Sequence, residues 1–257
     1  MSQITTEITS SSIASDNPIH QRLLFAYQAA TSYLHGSVLE AGCGEGRGIS
    51  TIMPHIAHYT ALDKNAVLLQ YLQSQYPDYK FIHTTFPPFH SIESNMFDCV
   101  VAFQVIEHIA DDNMFVKEIH RVLKPGGNLI ISTPNRAMSL TRNPWHEREY
   151  TGKQLFNLIS KYFNNISQYS VTGNEKVWKY YEINKKAVQK ITRWDILNAQ
   201  WWLPAWLLRT PYDYLNRKNR DNMMQANHTI VHDISTHDYY LSPNPDEGFD
   251  LFCAATK

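Results

Sequence analysis

The chain has 257 residues, enough for one α/β domain with an added subdomain and short for two independent domains. A hydrophobic fraction of 43%, a charged fraction of 18% and a formal net charge of −1 are ordinary for a globular protein and do not point to nucleic acid as a partner. Three widely spaced cysteines (Cys43, Cys99, Cys253) without a C-x-x-C pair argue against a disulfide framework or a zinc site and suit a reducing, cytoplasmic setting.

Residues 1–17 are polar, lack the basic and apolar regions of a signal peptide, and read as a flexible N-terminal tail. No apolar run approaches the roughly 20 residues needed to span a bilayer. Residues 18–34 carry Leu23, Leu24, Tyr27 and Tyr33 at helical spacing. A short apolar run at 37–41 stops at a glycine cluster, as a buried parallel strand does. A helix through Ile49, Ile52 and Ile56 follows, then a strand at 59–63, a helix at 66–76 and a strand at 80–84. After Pro87 and Pro88, residues 97–106 read as a fourth strand, and Asp111 or Asp112 caps a helix burying Phe115, Ile119 and Val122. Lys124-Pro125-Gly126-Gly127 is a turn leading to a fifth strand at 128–133. Thr151 starts another helix, 166–171 is a sixth strand and 249–256 the last.

Strands alternating with helices predict a mostly parallel sheet with right-handed crossovers. The expected fold class is α/β: a Rossmann-like, seven-stranded, mostly parallel sheet with helices on both faces. The expected core covers 18–173 and 249–257, with a helical, Trp-rich insertion or lid at 174–248 that binds the acceptor.

In open α/β sheets ligands bind at the carboxyl ends of the strands, near the topological switch point. The first strand ends in Glu40-Ala41-Gly42-Cys43-Gly44-Glu45-Gly46-Arg47. Glycines at 42, 44 and 46 let the backbone turn sharply and touch a ligand. Asp63, at the end of the second strand, offers a carboxylate that accepts from both hydroxyls of a ribose. A dinucleotide fingerprint would need glycine where Arg47 stands, so a nicotinamide dehydrogenase is disfavoured. An acid at Glu40 instead suits an ammonium-bearing sulfonium amino acid.

VLEAGCGEGRG followed by ALDKN resembles motifs I and II of the class I S-adenosylmethionine-dependent methyltransferases, of the methyltransferase type 11 kind. FDCVVAFQVIEHI and RVLKPGGNLIISTPN match the same superfamily; the resemblance covers roughly residues 22–163 and implies an antiparallel last strand at the C-terminus. It implies a methyltransferase using S-adenosyl-L-methionine, with Glu40 supporting the loop and the ammonium. Gly42, Cys43, Gly44 and Gly46 would form the loop around the cofactor, Asp63 and Lys64 the ribose end, and Gln104 the floor beside the methionine moiety. Many relatives carry an acid after the third strand; this chain has Thr84-Thr85-Phe86, so Thr85 and Phe86 are the expected adenine neighbours.

Methyl transfer needs an aligned acceptor, excluded water and often a base. His108 and His146 both lie in loops at the mouth of the expected site, with Glu107 beside the first. Gln104-Val105-Ile106-Glu107-His108 resembles the E-x-x-E-H element of ubiquinone-pathway O-methyltransferases and of small-RNA 2′-O-methyltransferases, and His146 precedes Tyr150-Thr151 as a histidine does in the RNA enzymes. Glu107, His108 and His146 thus match divalent-metal ligand positions, but Gln104 stands where a carboxylate would. Hard cations select charged oxygens. The plainer reading, in which Glu107 and His108 close the loop, outweighs metal binding, and no metal is assigned.

Five of the six tryptophans fall between Trp178 and Trp206, and residues 174–226 carry ten Lys/Arg against five Asp/Glu. An apolar aromatic segment flanked by positive charge is read as a lid with its own small core, and secondarily as a peripheral membrane contact. The expected function is O-methylation of a small-molecule or amphiphilic acceptor: quinone-like, lipid-linked or saccharide. The rivals are a metal-assisted 2′-O-methyltransferase on RNA, which the charge balance opposes, and a catalytically silent cofactor-binding module.

Overall fold

A computed structural model describes residues 13–257 except 91 and 196, and the statements below concern those residues. In chain order the elements are α1 (Asn17–Ala30), β1 (Ser37–Ala41), α2 (Ile49–Ile52), β2 (His58–Asp63), α3 (Ala66–Gln75), β3 (Lys80–His83), β4 (Phe97–Phe103), α4 (Asp112–Val122), β5 (Leu123–Pro134) and α5 (Gly152–Ile159). There follow β6 (Asn164–Gly173), α6 (Glu175–Thr192), α7 (Ala199–Trp202), α8 (Ala205–Ala226), α9 (His228–Asp233), β7 (Tyr239–Ser242) and β8 (Asp250–Thr256).

The strands form one sheet in the order β3-β2-β1-β4-β5-β8-β6-β7. Pairings among β1 to β5 are parallel, β8 runs antiparallel to both β5 and β6, and β7 is antiparallel to β6. Alternate residues feed two cores. Leu39, Val100, Ala102, Leu129 and Ile131 pack with Phe115 and Ile119 of α4 and Leu155 of α5. Val38, Cys99, Val101, Ile130 and Phe252 pack on the other face with Ala26, Ile52, Leu72 and Val177. Helices therefore cover both faces, and the buried strands read as near-continuous apolar runs.

The chain reverses direction across the sheet between β1 and β4, the switch point where the glycine loop emerges. Caps fix the helices that frame it. The Asn65 side chain accepts from the Val67 and Leu68 N–H groups at the start of α3, and Asp111 accepts from Met114 at the start of α4. Thr151 and Gln154 form a capping box on α5.

Four features depart from expectation. The sheet has eight strands, because Tyr239–Ser242, inside the segment expected to be helical, adds to the open edge of β6. Lys124-Pro125-Gly126-Gly127 is part of the long β5 rather than a separating turn: Gly126 takes φ +79, but its N–H donates to the Lys257 carbonyl and keeps the strand paired. The tail boundary at residue 17 is too late. Ala14–Asp16 form a short 3-10 turn with Ser15 and Asp16 buried, since Asp16 pairs with Arg217 and Arg220 of α8; residues 1–12 lie outside the described residues. Finally, of the insertion's tryptophans only Trp178 packs inward, against Tyr181 and Phe249, whereas Trp194, Trp201, Trp202 and Trp206 are exposed. No helix among the described residues is long and apolar enough to cross a membrane.

Candidate active site

The glycine loop turns because three of its residues adopt left-handed backbone: Gly42 (φ +80), Gly44 (φ +52) and Gly46 (φ +73). A Cβ on Gly42 would meet Val105 Cγ2 at 2.5 Å, whereas one on Gly44 would point into open space. The loop is held to β2 by the Gly42 N–H, which donates to the Leu62 carbonyl at 2.7 Å. Asp63 then bridges loop and helix: Oδ2 accepts from the Gly44 N–H at 2.9 Å and Oδ1 from the Asn65 N–H at 2.8 Å. Both oxygens are thereby oriented, and each keeps a second lone-pair direction for a ligand.

These elements enclose a cavity of about 420 Å³ at the carboxyl ends of β1, β2 and β4, within the roughly 300–1,000 Å³ usual for small-molecule sites. Eight of the ten expected cofactor residues line it: Gly42, Cys43, Gly44, Asp63, Lys64, Thr85, Phe86 and Gln104. Phe86 is held by stacking on Phe115, ring centroids 5.8 Å apart. Gln104 is a non-glycine residue at φ +57, a costly conformation that its N–H secures by donating to the Ser132 carbonyl at 2.9 Å.

Glu40 and Gly46 stand outside the wall. Glu40 is buried beneath the loop, where the hydroxyls of Tyr27 (2.6 Å) and Tyr59 donate to its two oxygens. Burial raises its pKa, and the two phenols oppose the rise. Its support for the loop runs through those phenols, with no direct reach into the cavity. Gly46 turns toward α3, where a Cβ would meet Leu72 at 2.6 Å. Cys43 lines the wall as a thiol that burial keeps protonated.

Several wall residues were not anticipated from sequence. Leu23 and Tyr27 come from α1, so the leading helix closes one side of the site. Arg47 lines the cavity at the position where a dinucleotide fold would have glycine. Phe103 and Ile109 supply apolar wall. Helical spacing marks Leu23 and Tyr27 only as inward-facing, and nothing local distinguishes a core position from a pocket wall.

Of the candidate catalytic groups, only His108 reaches the cavity. Its Nδ1 lies 2.9 Å from the Trp145 carbonyl, which can only accept, so Nδ1 carries the proton and Nε2 is the basic nitrogen of the neutral ring. His146 stands behind it, ring centroids 5.0 Å apart, with Nδ1 on Glu149 at 2.8 Å and Nε2 on Asn143 at 2.8 Å. Glu107 is buried, accepts from the Thr133 hydroxyl at 2.9 Å, and is pushed up to about 7 by burial, against the pull of His146 and Thr133. These are supporting positions rather than wall positions.

Glu107, His108 and His146 do converge: their ligand atoms all lie within 4.8 Å of one another. The group offers one carboxylate, and both His146 nitrogens and one Glu107 oxygen are engaged inside the protein. A hard divalent cation, which takes six or more oxygens at close range, is poorly matched by that donor set.

Residues 39–131 match the family described as "Methyltransferase domain". Among curated proteins, the chain is 35% identical over 162 residues to one of Mycolicibacterium smegmatis named "Probable S-adenosylmethionine-dependent methyltransferase", covering 61% of this chain and 63% of that protein. It is 28% identical over 127 residues to the ubiquinone biosynthesis O-methyltransferase of Pectobacterium atrosepticum, covering 46% and 53%. The chain thus spans between about half and under two thirds of these relatives' lengths. The fold is shared with a crystal structure of an S-adenosylmethionine-dependent methyltransferase from Archaeoglobus fulgidus at a TM-score of 0.57, with 11% identity over 93% of this chain and 94% of that one. Residues 39–131 are thus a methyltransferase domain, the chain is similar to proteins named S-adenosylmethionine-dependent methyltransferases, and its fold is the one such enzymes have.

Proposed function

We propose that the chain binds S-adenosylmethionine in the 420 Å³ cavity and directs its methyl group to an oxygen of a small, amphiphilic acceptor. The observation that carries the reading is Asp63, oriented by two backbone N–H groups at the rim of a glycine loop whose open side is the cavity. The residues present fit the cofactor: the Asp63 carboxylate accepts from ribose hydroxyls, Phe86 and Thr85 flank the base, and the Gln104 amide and Arg47 guanidinium serve the amino-acid end.

Bound there, the cofactor supplies an electrophilic methyl on a sulfonium. His108 accepts the acceptor's hydroxyl proton at Nε2 while the Trp145 carbonyl fixes the ring through Nδ1–H. Methyl transfer to the oxygen would leave that proton on His108, which passes it to solvent before the next turnover. Glu107 and His146 hold the loop that aims His108 and act as positioning residues.

The O-methyltransferase relative supports oxygen as the atom modified. A cavity of about 230 Å³ supports an acceptor with an apolar part. Val188, Ile191, Leu208 and Leu215 line it beside Arg142 and Pro144 of the loop that carries His146. Free, buried cysteines support a cytoplasmic setting. The Glu107–His108–His146 cluster favours a second reading, metal-assisted 2′-O-methylation of RNA, which the net charge of −1 opposes.

Calorimetric titration with S-adenosylmethionine and S-adenosylhomocysteine, with EDTA and with Mg²⁺ or Mn²⁺, tests the assignment. Binding of both in EDTA, with no heat from NADH, is expected. Binding only with metal would make the Glu107–His108–His146 cluster a metal site, and no binding in any condition would refute the cofactor site. Turnover of phenolic and prenyl-phenolic acceptors then separates an enzyme from a silent module.

A further inference from the structure

The chain from the end of α6 into the first turn of α8 carries Trp194, Leu197, Trp201, Trp202, Trp206 and Leu207. The four indoles are 74%, 60%, 63% and 70% exposed, and the two leucines 76% and 44%. Single exposed apolar residues are commonplace, but six exposed ones within fourteen consecutive positions mark a candidate interaction surface. Indole is apolar over its rings and polar at its N–H, which suits the boundary between headgroups and acyl chains better than water or hydrocarbon alone.

Positive charge flanks this segment along the chain. Between positions 185 and 209 the bases are Lys185, Lys186, Lys190, Arg193 and Arg209, and the one acid is Asp195. Lys186, Lys190 and Arg193 are exposed along the last turns of α6, and the Arg193 guanidinium lies 5.1 Å over the Trp194 ring. The Asp195 carboxylate accepts from the Ala199 and Gln200 N–H groups and holds α7 in place. A cationic rim around an apolar, aromatic centre complements phosphate headgroups over acyl chains. A second copy of this chain fits less well, because a two-fold contact through this patch would bring two cationic rims together.

We propose that this connection seats the protein on the surface of an anionic phospholipid bilayer, independently of which acceptor the active site takes. The mode is peripheral: α7 has only four residues, and no helix among the described residues is long and apolar enough to cross a membrane. The indoles enter the headgroup boundary, roughly 5–10 Å deep. The seat is tied to the active-site mouth. The Arg142 guanidinium donates to the carbonyls of Gln200 and Leu203, both at 2.9 Å, and Arg209 lies 4.4 Å over the Trp145 ring, next to His146. Docking therefore sets the 230 Å³ cavity between α6 and α8 close to the lipid surface.

Co-sedimentation with vesicles of phosphatidylcholine, with and without phosphatidylglycerol, tests this without cofactor or acceptor. Partitioning onto the phosphatidylglycerol vesicles with a blue-shifted tryptophan emission, weakening as salt is raised, is expected. W201S/W202S/W206S should lower the partition constant by at least about tenfold with no loss of thermal stability, because these side chains face solvent. K186E/K190E should lower it about tenfold on anionic vesicles. Wild-type protein left in the supernatant with both vesicles, or a tryptophan variant that binds equally well, would overturn the proposal. So would a dimer in light scattering that the tryptophan variant dissolves, since the patch would then belong to a second copy.

Discussion

Asp63 earns its place by geometry as much as by charge. Its two oxygens already accept from Gly44 and Asn65, so a ribose hydroxyl meets a carboxylate that cannot swing away. Asp63→Ala is expected to weaken S-adenosylhomocysteine binding by about 1–3 kcal/mol in calorimetry, the range for charge-assisted hydrogen bonds. Unchanged affinity would remove Asp63 from the ribose. Glu107 answers to a different balance, since burial pushes it up to about 7 from an ordinary value of 4.5. An unfolded chain releases that proton near 4.5 while the folded protein keeps it until about 7. Across that window rising pH favours unfolding, below it neither state has ionised, and above it the cost is constant. The cost is on the order of 3 kcal/mol. Glu107→Gln should therefore gain stability over wild type progressively as pH rises through the window in EDTA. Melting curves whose separation is the same at both ends would show that Glu107 is ionised in the folded state throughout.

At the scale of elements, the loop after β5 is where the site and the insertion meet. Arg142 clamps two carbonyls of the α7 segment from that loop, and its own N–H donates to Gln200 Oε1. Arg142→Ala should leave S-adenosylhomocysteine affinity within about twofold while hydrogen exchange at 199–203 quickens and acceptor KM rises, because only the acceptor side loses its support. An equal fall in cofactor affinity would mean that the clamp also shapes the 420 Å³ cavity. The core elements were legible in the sequence because each carries local information: periodicity in Leu155 and Ile159, a cap at Thr151, glycines 42 and 44 after a β run. What escaped was set by tertiary context. Tyr239–Ser242 is a strand only because the edge of β6 is open to it. Leu23 and Tyr27 are pocket walls only because α1 crosses the glycine loop. His146 is close to His108 as its loop position suggests, but Asn143 and Glu149 take both its nitrogens, and no spacing rule foretells that.

At the scale of the whole molecule, the residues before α1 and the insertion are fastened by one buried cluster. Asp16 is fully buried and accepts from Arg217 Nη1 at 2.7 Å and Arg220 Nη1 at 2.9 Å, and the Ser15 hydroxyl donates to Asp221 at 2.8 Å. Burial raises the Asp16 pKa, but the two guanidiniums outweigh it and hold the carboxyl below its usual value. The segment before α1 is thereby pinned to α8, the helix that carries the insertion back to the sheet. Asp16→Ala would leave Arg217 and Arg220 partly or fully buried without their shared anion. Breaking a buried pair from one side costs about 3–5 kcal/mol, far more than an exposed ion pair is worth. Urea unfolding should show that loss as a lower midpoint with an unchanged slope, because the surface exposed on unfolding stays the same. The cost should also depend on pH in a defined direction. A carboxyl held below its usual value contributes stability above the ordinary carboxylate range and loses it as pH falls through its lowered pKa, so variant and wild type should converge in acid. A loss under about 1 kcal/mol at neutral pH would instead mean that the other contacts of α8, among them buried Met223, Asn219 on Asn184 and Arg209 over Trp145, hold it in place without the Asp16 cluster.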